Sequence, residues 1–126
     1  HKPEFLFEAA QSLSKTGQYE KANEYLERAV LLSSDPMLYY VMAKNEQCLG
    51  EYRQAEKHLL HAIDILPERI YPYYLLMNLY TEPSYFQPAK LKMAIDSVLT
   101  KKPKVESSAI KEMKEKARSM LNNTSI

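Results

Sequence analysis

Apolar and small residues recur three, four or seven positions apart along this chain, as in Ala22, Leu26 and Ala29 and again in Ala55, Leu59 and Ala62, with charged residues between them. That spacing lays one narrow apolar stripe along a helix and leaves the remaining faces to water. The two stripes stand 33 residues apart, and the same offset pairs Leu6 with Tyr39, Phe7 with Tyr40, Ala10 with Ala43, Gly17 with Gly50 and Tyr19 with Tyr52. A fixed internal period predicts a repeat, and the stripes predict that each unit holds two helices. Gly17 and Gly50 stand where one helix stops and the chain turns, because glycine enters the left-handed backbone conformation at almost no cost. Alanine recurs, at Ala10 and Ala22 and at Ala43 and Ala55, because closely crossing helix backbones leave room for a methyl group and little more. Ser34-Asp35-Pro36 and Leu66-Pro67 supply the other punctuation: aspartate caps the next helix, and proline fits a first turn whose amide has no partner anyway.

A third unit follows with altered spelling. "RIYPYYLLMNLY", Arg69 to Tyr80, reads as a first helix entered through Pro72. No hinge glycine follows it. The chain runs instead through "TEPSYFQPA", Thr81 to Ala89, where Pro83 and Pro88 forbid a continuous helix. Helix resumes near Pro88 with Leu91, Ala94, Ile95, Val98 and Leu99 on one face, and ends at Lys101, Lys102 and Pro103, with cations at its negative pole. A last segment carries Ile110, Met113, Ala117, Met120 and Leu121 on one stripe, as a capping helix needs. The pattern predicts an all-α right-handed solenoid of about seven helices in a single domain over 1–121. Its repeats lie at about 3–35, 36–69 and, degenerate, 70–103, followed by a capping helix at about 104–121 and a fraying tail at 122–126.

Composition narrows the function classes. Formal charge is +1, from 17 basic and 16 acidic residues spread along the whole length, so neither nucleic acid nor an anionic membrane is an expected partner. No run approaches the roughly 20 apolar residues of a membrane span. The lone Cys48 has no internal disulfide partner and no metal-ligand spacing near it. The first residue is His1 rather than methionine, which suggests a piece of something longer.

The arrangement resembles the tetratricopeptide repeat, a helix hairpin of about 34 residues marked by small residues, a hinge glycine, an aromatic two positions on, alanine, leucine or an aromatic, alanine and proline. Gly17, Tyr19, Ala22, Leu26 and Ala29 fill those slots in the first unit; Ala43, Gly50, Tyr52, Ala55, Leu59, Ala62 and Pro67 fill them in the second. Leu6 and Tyr39 stand where tryptophan is typical, and the third unit lacks both the hinge glycine and the aromatic after it. The resemblance implies a concave groove lined by the first helix of each unit. In this sequence the groove positions are Phe7 and Gln11, then Tyr40, Lys44 and Gln47, then Tyr71, Tyr74 and Asn78. Three rings, Phe7, Tyr40 and Tyr74, share one slot, and tyrosine offers large contact area at low rotamer cost. A groove for a protein or peptide partner is expected; the plainer alternative is that these rings only pack between repeats. The lysine and asparagine clamp by which some such domains grip a C-terminal carboxylate is not assembled, since its paired slots hold Phe7 with Gln11, Tyr40 with Lys44, and Tyr74 with Asn78.

Residues 69–88 and 98–113 further resemble the soluble C-terminal tail of O-antigen ligase or polymerase-like membrane proteins of the Bacteroides group. That implies a bacterial envelope parent, on an undetermined side of the membrane, and carries over no catalytic residue. It also leaves a structural spacer, self-association or glycan contact as alternatives to peptide binding.

Candidate chemistry is sparse. His58 and His61 are spaced to share a metal but lack further ligands, so they read as solvated surface histidines and no metal or cofactor is expected. Carboxylates alternate with lysine and arginine on helix surfaces, and both glycines are used as hinges, so no phosphate loop or nucleophile elbow is present and no catalysis is expected. Tyr85 and Phe86, in the proline-bracketed loop, either fold back over the third hairpin or form an exposed contact.

Overall fold

A computed structural model describes residues 2–123, and within them the chain is helical, with no strand. Seven α-helices run in order: α1 Pro3–Lys15, α2 Tyr19–Ala29, α3 Pro36–Cys48, α4 Tyr52–Ile65, α5 Tyr71–Leu79, α6 Pro88–Thr100 and α7 Ser108–Asn123. A short 3-10 turn, Pro83–Tyr85, separates α5 from α6. None of these helices is long and apolar enough to cross a membrane. The chain gathers into two compact units, His1–Leu66 and Pro67–Ile126.

The first unit holds two helix hairpins, α1 with α2 and α3 with α4, joined by packing of α2 on α3 and of α1 on α3. Both hinges turn at glycine with positive φ, +81° at Gly17 and +77° at Gly50. The helix ends close in the same way. Gln18 N–H reaches back to Leu13 O at 2.9 Å and Gly17 N–H to Ser14 O at 3.0 Å, while Glu51 N–H bonds Glu46 O at 2.8 Å and Gly50 N–H bonds Gln47 O at 3.1 Å. This is the paired six-to-one and five-to-two pattern that satisfies the last carbonyls of a helix when the following residue is left-handed. Ala10, Ala22 and Ala29 are buried with Leu6, Leu26, Leu38 and Met42 in one apolar cluster. Ala43, Ala55 and Ala62 are buried in the second hairpin, at the positions the period marks out. Asp35 caps α3 as expected: its carboxylate accepts from Met37 N–H at 3.0 Å, with Pro36 in the first turn.

The interior of this unit also holds polar groups that periodicity did not reveal. Ser14 Oγ donates to Asn45 Oδ1 at 2.9 Å, Asn45 Nδ2 to Asn23 Oδ1 at 2.8 Å, and Asn23 Nδ2 to the Met42 carbonyl at 3.2 Å. The chain of bonds ties α1, α2 and α3 together through buried asparagines whose hydrogen-bonding capacity is met inside the protein.

In the second unit α5 packs on α6, and α7 packs on both. Leu91, Ala94, Ile95 and Val98 are buried on α6, matching the expected stripe. On α7 Ala117 is buried, and Ile110, Met113, Met120 and Leu121 are half-buried. The last helix starts later than position 104: the segment before it is irregular, and Ser107 begins the helix by accepting from Ile110 N–H at 3.2 Å. It also continues through Asn122 and Asn123, so those two residues are helical rather than frayed; positions 124–126 of the expected tail lie outside the described residues. Lys101 stands at the C-cap of α6 as expected, but the cation that bonds the last carbonyls comes from another helix. Lys114 reaches across from α7 and donates through Nζ to the carbonyls of Val98 at 2.9 Å, Leu99 at 3.2 Å and Lys101 at 2.9 Å. Three ammonium protons thus meet three carbonyls at the negative end of a helix. Lys101 lies instead over the ring of Tyr73, 5.0 Å from its centroid.

Candidate partner-binding faces

The expected groove residues divide between the two units. In the first, α1 carries Phe7 and Gln11, and α3 carries Tyr40, Lys44 and Gln47. Gln11 and Lys44 are exposed, and Phe7 and Gln47 are half-buried, Phe7 resting against the apolar cluster. Tyr40 differs. It is only 5% exposed, so its ring belongs to the interior and offers a partner almost no surface, which is the packing alternative for that position. Position in the repeat did not reveal this, because α3 is the more enclosed helix, flanked by α1, α2 and α4.

Phe7 opens onto a shallow cleft of about 120 Å³, formed where α1 and α3 begin, with Glu4, Asp35, Met37 and Leu38 among its walls. At the other end of α3 the exposed Cys48 side chain stands beside Tyr19, at the start of α2. Hydrogen bonding with the Cys48 sulfur first, and repulsion between its thiolate and the phenolate second, raise the Tyr19 phenol above its ordinary pKa.

In the second unit Tyr71 and Tyr74 stack with ring centroids 6.4 Å apart and planes 22° off parallel. Lys116 Nζ lies 5.5 Å from the Tyr74 centroid. One turn further along α5, Asn78 Oδ1 is buried without a hydrogen-bond partner among the described residues. Its backbone carbonyl is used, accepting from Thr81 Oγ1 at 2.6 Å.

The two histidines are not simply solvated. His58 Nδ1 lies 2.7 Å from Oε1 of the buried Glu46, and the rings of His58 and His61 flank Tyr39 at centroid distances of 5.8 and 4.6 Å. A carboxylate carried inward on α3 needs a partner, and half-buried His58 on α4 supplies it. Among the described residues no cluster of histidine, cysteine, aspartate or glutamate is arranged to hold a metal ion. The proline-bracketed loop divides its two aromatics: Tyr85 stacks on Tyr80, 6.5 Å between centroids at 21°, whereas Phe86 is 51% exposed.

Helix hairpins hinged at left-handed glycine, with alanines at their crossings, have the all-α fold of tetratricopeptide-repeat proteins. The family model described as tetratricopeptide repeat matches residues 3–36, the first hairpin and the start of the next helix. Among solved structures, the chain is similar to the type III secretion translocator chaperone SycD of Yersinia enterocolitica, at 15% identity and a TM-score of 0.84, over 97% of this chain and 89% of that one. It is also similar to the Sgt2 TPR domain from Aspergillus fumigatus, at 15% identity and a TM-score of 0.74, over 98% of this chain and 83% of that one. No curated protein matches the chain in sequence.

Proposed function

We propose that this chain is a non-catalytic protein-interaction module that holds a peptide or protein partner on the faces of its first helices. The observation that carries this reading is the surface of α1 and α3 in the first unit, where Gln11 and Lys44 are exposed, Phe7 and Gln47 are half-buried, and Phe7 opens onto a cleft. Polar side chains able to choose a partner stand next to apolar surface able to hold it. The tetratricopeptide fold favours the same reading, as does the likeness to the Yersinia protein, a chaperone. Tyr71 and Tyr74, stacked and half-buried on α5, form a second candidate face together with Asn78 one turn on. Tyr40 stays in the proposal as buried support for α3.

The test is a peptide array probed with the wild-type chain and with a Gln11→Arg/Lys44→Glu variant. Both substitutions lie on exposed helix surface and leave the fold in place, so the spot pattern is expected to change while circular dichroism does not. An identical pattern from the two proteins would refute the reading in favour of a structural spacer.

The finer proposal is that the module serves a larger bacterial envelope protein of the O-antigen ligase or polymerase-like kind. It rests on the resemblance of residues 69–88 and 98–113. A gene encoding this chain without a train of apolar spans elsewhere in its product would remove it.

A further inference from the structure

The first unit has a region of apolar surface that its own folding does not bury. Where α1 begins, α2 has just ended and α3 begins, the cleft is lined by Pro3, Glu4, Phe7, Asp35, Met37 and Leu38. In the wall itself Met37 is 42% exposed and Phe7 half-buried, and in the adjoining turn Leu31 is 83% exposed and Leu32 56%. Leu31 and Leu32 directly precede Ser33, itself part of the cleft wall. Single exposed apolar residues are ordinary, but apolar groups that line a concavity, with exposed leucines in the turn that leads into it, offer a partner a seat.

The charges of the cleft state what it will accept. Glu4 and Asp35 are the charged groups in its wall, both are negative, and neither has an ion-pair partner among the described residues. One Asp35 oxygen is committed to capping α3 through Met37 N–H, which leaves the other for a ligand. The positive dipole ends of α1 and α3 offset part of this negative charge, so Glu4 and the free Asp35 oxygen are the groups a cation would meet.

We propose that the cleft takes an extended segment of a partner protein in which an apolar side chain is followed or preceded by lysine or arginine. The apolar group seats against Phe7, Met37 and Leu38, and the cation meets Glu4 and Asp35. The assignment rests on the reading that the first-helix face of this unit binds a partner, and it gives that partner's chemistry. Acidic segments and free C-terminal carboxylates are repelled from this end of the face.

The experiment measures fluorescence anisotropy of labelled octapeptide mixtures with leucine fixed at one position and lysine, arginine or glutamate fixed beside it. The full chain is compared with the Glu4→Gln/Asp35→Asn variant. Asparagine caps a helix as well as aspartate does, and Glu4 is an exposed surface residue, so the variant keeps the fold; thermal melting checks this. The wild-type chain is expected to bind the leucine–lysine and leucine–arginine mixtures at least about tenfold more tightly than the leucine–glutamate mixture, with the preference weakened by salt and abolished in the variant. Equal binding of all mixtures, a preference that survives in the variant, or binding of none overturns the proposal. Sedimentation of the unliganded chain adds another check: a dimer that dissociates in the Glu4→Gln/Asp35→Asn variant would show a second copy as the occupant and overturn it too. Loss of the charge preference with an array pattern still sensitive to Gln11 and Lys44 defeats this inference alone. Insensitivity in both assays defeats the broader reading as well.

Discussion

Asn45 illustrates how much of the first unit depends on side chains that a stripe cannot show. It accepts from Ser14 and donates to Asn23, and removing it strands a buried carbonyl oxygen on Asn23. Asn45→Ala is expected to cost about 1–3 kcal/mol in urea unfolding, whereas Asn23→Leu with Asn45→Leu together should cost less than the sum of the single changes. Additive losses would mean that the two amides do not act as one network. Gly50 depends on handedness instead of bonding. No atom lies within 4 Å of where a Cβ would be, so Gly50→Ala is expected to lose about 1–2 kcal/mol for conformation alone, and Gly50→Asn less. Equal melting temperatures for glycine and alanine would refute that account. Both glycines and the Asp35 cap were legible in the sequence, because each acts on its immediate neighbours. The asparagine network and the Glu46–His58 pair were not, since their partners lie 12 to 31 residues apart and share no local spacing.

Among the elements, the turn between α5 and α6 departs most from the repeat. Where the other hairpins use a glycine, this one uses prolines, a 3-10 turn closed by Tyr85 N–H to Glu82 O at 2.8 Å, and a stacked ring. Tyr85→Ala is therefore expected to lower stability by about 1 kcal/mol, while Phe86→Ser leaves the melting temperature unchanged. The reverse order would mean that the exposed ring, not the stacked one, secures the turn. The prolines made this insertion legible. The division of labour between adjacent aromatics was not, because two consecutive residues on an irregular backbone have no periodicity to say which faces inward. The same limit applies to Phe7 and Tyr40: equal slots in the repeat, yet one lines a cleft and the other is interior.

For the whole molecule, the repeat spelling reaches across the chain, but the compact units divide it between Leu66 and Pro67. Native-state hydrogen exchange is expected to follow that division, with the amides of α2 and α3 opening together in one group and those of α6 in another as denaturant is raised. A single shared opening energy for all of them would refute it. Fold class was readable from two hairpins because period, hinge and crossing alanines agree with one another there, and such agreement is what specifies a structure. The proposed partner face was readable only as a set of helix positions. Its acidic cleft draws on Glu4 of α1 and on Asp35 and Met37 at the start of α3, which meet only once the two helices are side by side. At the far end of the chain, Lys114 closes α6 through one nitrogen. Cyanate in aged urea carbamylates lysine amines, and at this position it would discharge that nitrogen and leave it one proton where three carbonyls now share three. A preparation refolded from old denaturant would then carry a loosened terminal helix with its covalent chain intact, and its chemical history would pass for a mutation.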